Sequence, residues 1–310
     1  MKENQQLQGV LAAIAAYIIW GFLPLYWKLV GSVPAGEVLA HRIIWALVIM
    51  FIILLAIGKW TGVWREIRDV LTSFRKGTAI GLAAIFISLN WFIFIFAVNS
   101  DRVIEVSLGY YINPLINVVL ATIFLKERLS KAEVFSFILA VAGVLLLTFH
   151  YGYMPWAALG LALSFGTYGL IKKMAPIGAW TGLTIETAMM TPFALIFLIV
   201  WNDDPAAVFY GSIEMALLLM GAGAATAFPL LLFAAGTKRI SFALVGFLQY
   251  LAPTIMLVLG IFVFREPFSM EQLLSFAIVW IGLMVFTASR SNATWKLRKQ
   301  NKIEKNANAS

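Results

Sequence analysis

The sequence predicts an all-α integral membrane protein of about ten transmembrane helices, arranged as two inverted five-helix repeats. Three observations carry this. The chain is 62% hydrophobic and 12% charged, whereas a soluble domain carries about 25% charged residues. Apolar runs near span length follow one another with little interruption. One helix-loop-helix pattern also occurs twice, as VSLGYYINPLINVVLATIFLKERLS over 106–130 and VGFLQYLAPTIMLVLGIFVFREPFS over 245–269.

Pro114 falls on Pro253, an offset of 253 − 114 = 139. At that offset Tyr111 meets Tyr250, Lys126 meets Arg265, Glu127 meets Glu266 and Ser130 meets Ser269. The register runs on through Ser136/Ser275, Phe137/Phe276 and Gly143/Gly282. A repeat inside an apolar chain points to duplication. Copies separated by an odd number of spans face opposite ways, the usual plan of secondary transporters.

A span needs about 20 apolar residues to cross about 30 Å of hydrocarbon. On that rule helices are expected at 8–29, 36–57, 78–98, 103–125, 132–149, 156–171, 180–201, 214–235, 242–264 and 271–288. The first starts near Leu7 and is long enough to stay as a span rather than be cleaved as a leader. The sixth is short. Segment 64–77, WREIRDVLTSFRKG, mixes apolar and basic positions and is expected as an amphipathic helix on the inner membrane surface. The small-residue run 221–225 permits close helix approach. Residues 1–150 then form the first repeat, 151–289 the second, and 290–310 a basic cytoplasmic tail expected to be disordered.

Charge orients these spans. Of the 23 Lys and Arg, only Lys28, Arg42, Arg102 and Arg265 fall on the outer side when the N-terminus is cytoplasmic. That bias puts both termini inside and requires an even span count. Glu127 then faces the cytoplasm while its repeat partner Glu266 faces outward. The net charge of +8 is accounted for by this anchoring, so nucleic acid is not expected as a partner.

Several chemistries are absent. The chain has no cysteine, so disulfides and thiolate metal sites are excluded. Its two histidines, His41 and His150, are too few for a histidine-rich metal site. No GxxxxGK[ST], GxSxG or HExxH occurs, leaving no ATP-driven engine, serine hydrolase or zinc protease motif. No catalytic residue, metal or cofactor is expected.

Seven segments together carry a family resemblance: AYIIWGFLPLYWKL (16–29), HRIIWAL (41–47), NWFIFIFAVNS (90–100), SLGYYINPLINVVLATIFLKERLS (107–130), GLTIETAMMTP (182–192), FPLLLFAAGTKR (228–239) and GFLQYLAPTIMLVLG (246–260). With them the chain resembles the EamA family of the drug/metabolite transporter superfamily, and within it the RarD branch, named for chloramphenicol sensitivity. The resemblance implies a multi-pass permease of a bacterial-type plasma membrane. It names no substrate.

Polar groups at bilayer depth are costly and by default mark a pathway. Glu186 lies about one third into the seventh expected span. It reads as a proton-titrating carboxylate or counter-charge, or else as a structural group bonded to Thr187 or a tyrosine. Glu37 and His41 share a face near the outer end of the second span, followed by Arg42. His41 and Arg42 read equally as ligand or proton groups and as headgroup-level residues, with Arg42 free to snorkel; Glu37 reads as the latter. The fourth span carries Tyr110, Tyr111, Asn113 and Pro114, and the ninth Gln249, Tyr250 and Pro253. Each proline removes a backbone hydrogen bond and kinks its helix. Tyr111 and Tyr250 are therefore expected to face a central cavity from opposite sides. Asn90 is a candidate as well, more readily explained by a bond to another helix. Trp20, Trp27, Trp45 and Trp91 are assigned to the aromatic belt or core. Lys126-Glu127 and Arg265-Glu266 read as structural pairs at helix ends or as gating contacts, with the structural reading preferred.

The function expected from these features is a secondary transporter moving a small metabolite or drug-like solute by alternating access, with proton-coupled export favoured because Glu186 and His41 can titrate. The alternatives are an uncoupled facilitator or channel-like pore and, behind them, an intramembrane enzyme. Expected partners are a small-molecule solute, the lipid bilayer and protons, with the protein a monomer or homodimer.

Overall fold

A computed structural model describes residues 2–126, 130–152, 154–174, 177–200, 212–237, 239–240 and 248–307. Their regular structure is helical throughout. In chain order the helices are α1 (Lys2–Leu29), α2 (Ala35–Ala56), α3 (Trp60–Thr72), α4 (Phe74–Asn99), α5 (Val103–Leu125), α6 (Lys131–Tyr151), α7 (Trp156–Met174), α8 (Ala179–Val200), α9 (Ile213–Thr237), α10 (Leu251–Val258) and α11 (Met270–Ala307). A π-helical turn, Leu259–Val263, continues α10.

Among the described residues eight helices are long and apolar enough to cross a membrane: α1, α2, α4, α5, α6, α8, α9 and α11. The expected count of about ten is thus met in part. The sixth expected span is α7, whose 19 residues include Lys172, Lys173 and several glycines that dilute its hydropathy. The ninth is seen as the shorter apolar stretch Leu251–Val263, and its first part, 242–247, lies outside the described residues. Large apolar side chains point outward along the spans: Ile199 and Phe262 are each 74% exposed. Exposure of that kind is natural only where lipid replaces water. The chain is a multi-pass membrane protein.

Helix α3 is the amphipathic element expected near 64–77, shifted toward the N-terminus. Val63, Ile67 and Val70 are buried, while Arg65 and Arg68 are exposed. Its Glu66 accepts hydrogen bonds from the backbone amide of Gly178 and from the Thr181 hydroxyl, which ties α3 to the start of α8. Helix α11 runs to Ala307 without a break. No glycine or proline interrupts 283–307, so nothing in the sequence stops the helix.

The helices pack in a recurring pattern. α6 lies on α11 and α2 on α8; α5 and α4 pack on α7, as α10 and α9 pack on α1. Small residues set the closest approaches. A Cβ on Gly143 of α6 would sit 2.8 Å from the Ser275 carbonyl oxygen of α11, and one on Gly282 of α11 would sit 3.0 Å from the Ser136 carbonyl oxygen of α6. Gly223 of α9 lies directly against the Trp45–Ala46 backbone of α2, the close approach expected of the 221–225 run.

The same caps recur. Lys126 and Arg265 follow the α5 and α10 helical stretches with φ of 57° and 55°, a left-handed conformation uncommon for residues with a Cβ. Ser130 then caps α6 through a capping box with Glu133. Ser269 and Gln272 make the equivalent pair of bonds at the start of α11.

Candidate functional site

Three polar clusters lie within the helix bundle. The first is built on α8. Glu186 is 2% exposed. Its Oε1 accepts from Lys172 Nζ of α7 at 2.8 Å, and its Oε2 from the Tyr168 hydroxyl at 3.2 Å. Thr187 does not bond Glu186; its hydroxyl turns back to the Leu183 and Thr184 carbonyls of its own helix. One turn before Glu186, Gly182 leaves the space that Lys172 Nζ occupies. In the sequence Lys172 is one of the positive charges expected on the inner side. The lysine stem instead spans the α7–α8 gap and its ammonium finds the carboxylate, since a buried carboxylate needs a compensating charge or donors.

The second cluster surrounds Arg42. The guanidinium is buried rather than snorkelled to the headgroups; Arg42 is 4% exposed. The rings of Trp91 and Trp27 lie against it, with centroids 4.4 Å and 4.9 Å from Cζ. Nε donates to the Thr226 hydroxyl at 2.8 Å, and Tyr110 lies close enough to couple electrostatically. Five helices meet here: α1, α2, α4, α5 and α9. Trp27 and Trp91 are therefore core residues wrapped around a cation, not belt residues. His41, the preceding residue, is also buried. Glu37, in the first turn of α2, is buried with its Oε2 lacking a hydrogen-bond partner among the described residues.

The third cluster joins the two proline-bearing segments. Tyr111 and Tyr250 stack, with centroids 6.2 Å apart and planes 19° off parallel. They meet each other directly and do not face across an open space. Tyr111 is packed edge-on by Phe276 and Trp280, and its hydroxyl bonds the Thr254 hydroxyl at 2.7 Å. Gln249 and Thr287 are within hydrogen-bond reach of Tyr250. Ser107 donates to the Pro253 carbonyl at 2.8 Å, so the proline-interrupted stretch is held to α5. Pro114 lies inside α5. Asn113 is buried beside it with Oδ1 lacking a partner among the described residues.

Two sequence candidates prove to be ties between elements. Asn90 Nδ2 donates to the Leu161 carbonyl and the Ser164 hydroxyl, both at 3.1 Å, and joins α4 to α7. Glu266, read from sequence as the partner of Arg265, instead accepts the backbone amides of Val103 at 2.6 Å and Ile104 at 2.9 Å. These are orphan donors at the N-terminus of α5, where a carboxylate is favoured by geometry and by the helix dipole. Burial pushes the Glu266 carboxyl above the ordinary glutamate range, and the two amides partly offset this. Glu105 caps α7 in the same way through the amide of Ala157 at 2.8 Å. Glu127 lies outside the described residues. Among the described residues no group of three His, Asp or Glu side chains is placed to hold a metal ion.

The sequence profile of the EamA-like transporter family matches the chain twice, over residues 7–149 and 153–288. An uncharacterized transporter of Bacillus subtilis (strain 168), YojE, is 45% identical over 96% of this chain and 98% of its own length. Protein RarD of Salmonella typhimurium is 40% identical over 92% of this chain and 96% of its own. Protein RarD of Escherichia coli (strain K12) is 39% identical over the same shares. A crystal structure of another protein superposes with a TM-score of 0.59, covering 92% of this chain and 98% of that one at 20% identity, which marks a shared fold. A helical membrane chain with these relatives along nearly its whole length belongs to the EamA-like transporter family, in its RarD branch.

Proposed function

We propose that this transporter is a secondary permease of a bacterial-type cytoplasmic membrane. Two inverted five-helix halves, 1–150 and 151–289, rock about a shared axis and carry a small metabolite or drug-like solute by alternating access. Both termini lie in the cytoplasm. The observation that carries this reading is reciprocity at the offset of 139. Gly143 meets the Ser275 carbonyl as Gly282 meets that of Ser136. Exchanging the two halves turns one contact into the other. The packing pairs, the left-handed residues and the paired caps exchange likewise. Two separate family matches, 7–149 and 153–288, support the duplication.

Glu186 is the proposed coupling group. As a carboxylate it holds Lys172 at 2.8 Å; on protonation it loses that attraction and frees the lysine. A proton and the Lys172 ammonium thus compete for one site between α7 and α8. Proton-coupled export follows if the two forms favour opposite-facing states. The solute would lie between the halves, near Arg42 and Tyr110.

The test uses the full chain in proteoliposomes with an internal pH dye and a panel of amino acids, aromatic acids and their neutral and cationic analogues. A solute that drives proton movement through the wild type, but is carried without proton movement by Glu186→Gln, is the expected result. Saturable flux that ignores the pH gradient and is unchanged in Glu186→Gln makes the protein a facilitator and leaves Glu186 structural.

A further inference from the structure

Arg42 presents an unresolved physical problem. Its charge lies within a membrane-crossing helix and is 4% exposed. A buried cation normally needs a carboxylate close by. Among the described residues none lies within ion-pair distance of it, and the ion pairs found there use Lys28, Lys76, Arg102 and Lys172. The two indoles offset part of the cost, because aromatic faces attract cations. They do not satisfy N–H donors that point in the guanidinium plane.

The remaining bonds sharpen the point. Nε is used by Thr226. Nη1 is buried without a hydrogen-bond partner among the described residues, and so is the indole Nε1 of Trp27 beside it. Buried donors are almost always satisfied, so two neighbouring ones left open call for an explanation. The guanidinium carbon lies over the rings of both Trp91 and Trp27. Its unpartnered Nη1 is a planar N–H donor of the kind that pairs with a carboxylate.

We propose that Arg42 and Trp27 Nε1 form the recognition point for the carboxylate of the transported solute, which is therefore a small organic acid with an apolar or aromatic body. The inference rests on the permease reading above and names its substrate class. Arg42 supplies charge and one or two N–H donors, and Trp27 supplies a further donor. Trp91 fixes the guanidinium plane, and Tyr110 offers an aromatic wall from α5. The Arg42–Thr226 bond runs from the first half of the chain to the second. A carboxylate that takes over part of the guanidinium's bonding is thus positioned to alter the contact between the halves.

A purely structural staple, with Arg42 doing no more than pinning five helices, predicts no preference among solutes. The test measures binding to the purified full-length chain by intrinsic tryptophan fluorescence and thermal shift. The probes are benzoate, phenylacetate and indole-3-acetate, each beside its primary amide. The expected result is saturable binding of at least one acid, with its amide bound about tenfold more weakly or worse. Arg42→Lys, which keeps the charge but loses the planar edge, should weaken acid binding by about tenfold. Equal binding of every acid and its amide overturns the proposal, as does acid binding that is undiminished in a folded Arg42→Lys. If that variant does not fold, the acid-to-amide comparison in the wild type decides alone. Counterflow of radiolabelled solute separates the two readings. Acids that bind selectively but are not moved leave the anion site standing and remove the permease reading. Saturable movement of neutral or cationic solutes, with no binding or competition by acids, does the reverse.

Discussion

At the scale of single residues, the buried carboxylate of Glu186 sits where specific neighbours meet it. Glu186 has Lys172 and Tyr168, and Gly182 makes the approach possible. A methyl group at 182 would occupy the space of Lys172 Nζ. Gly182→Ala should therefore displace the lysine without disturbing the backbone, since only the flexible end of a long side chain must move. The expected outcome is the proposed proton coupling altered as in Lys172→Met, with the thermal midpoint lowered by no more than Lys172→Met lowers it, since both leave Glu186 without its counter-charge. A midpoint clearly below that of Lys172→Met would mean the space is needed for helix packing instead. Asn90 makes the opposite prediction. Among the described residues its side chain bonds Leu161 and Ser164 across the α4–α7 contact. Asn90→Leu should cost about 1 kcal/mol, measured by reversible unfolding in detergent micelles, and leave solute flux intact. Glu186 and Arg42 were visible from sequence as charges in apolar runs. A tyrosine was expected against Glu186, as Tyr168 is; Lys172 and the groups around Arg42 were not. Arg42 and Thr226 are 184 positions apart, and nothing local marks Trp27 or Trp91 as different from belt tryptophans. Lys172 was concealed by its position at an inner helix end, where positive charge is expected anyway.

At the scale of elements, the caps and crossings follow from repeat register. Gly143 and Gly282 are the small residues at the α6–α11 crossing, and each faces a backbone carbonyl of the other helix. Gly143→Leu and Gly282→Leu should each destabilise by about 1–3 kcal/mol through overpacking. Because the two contacts are reciprocal, the losses should be alike within experimental error. Clearly unequal losses would show that the crossing is not symmetric. Glu266 carries a second prediction. Glu266→Ala removes the cap on α5 and should cost about 1 kcal/mol in a denaturation midpoint, as loss of a helix cap does elsewhere. The sequence placed this carboxylate correctly at a helix end, yet paired it with its neighbour Arg265. Adjacency in sequence misled there: Arg265 takes the left-handed φ of 55° that turns the chain, and the next residue then reaches the start of α5. The helix positions themselves were legible because lipid demands long apolar runs. The short π-helical end of α10 and the polar α7 were harder to read, since each departs from the span rule where it meets other helices.

At the scale of the molecule, the proposed transport cycle depends on inversion. Duplication alone does not imply it; an odd number of spans between the copies does. The chain offers a direct measurement because it contains no cysteine, so a single introduced thiol is unambiguous. Lys131 and Met270 occupy equivalent positions at the starts of α6 and α11 and are both exposed. Lys131→Cys and Met270→Cys would be expressed in separate bacterial cultures and treated with a membrane-impermeant maleimide, before and after permeabilisation. The prediction is that Met270→Cys reacts in intact cells, while Lys131→Cys reacts only once the membrane is opened. Labelling of both from the same side would contradict the inverted architecture, and with it the alternating-access reading built upon it.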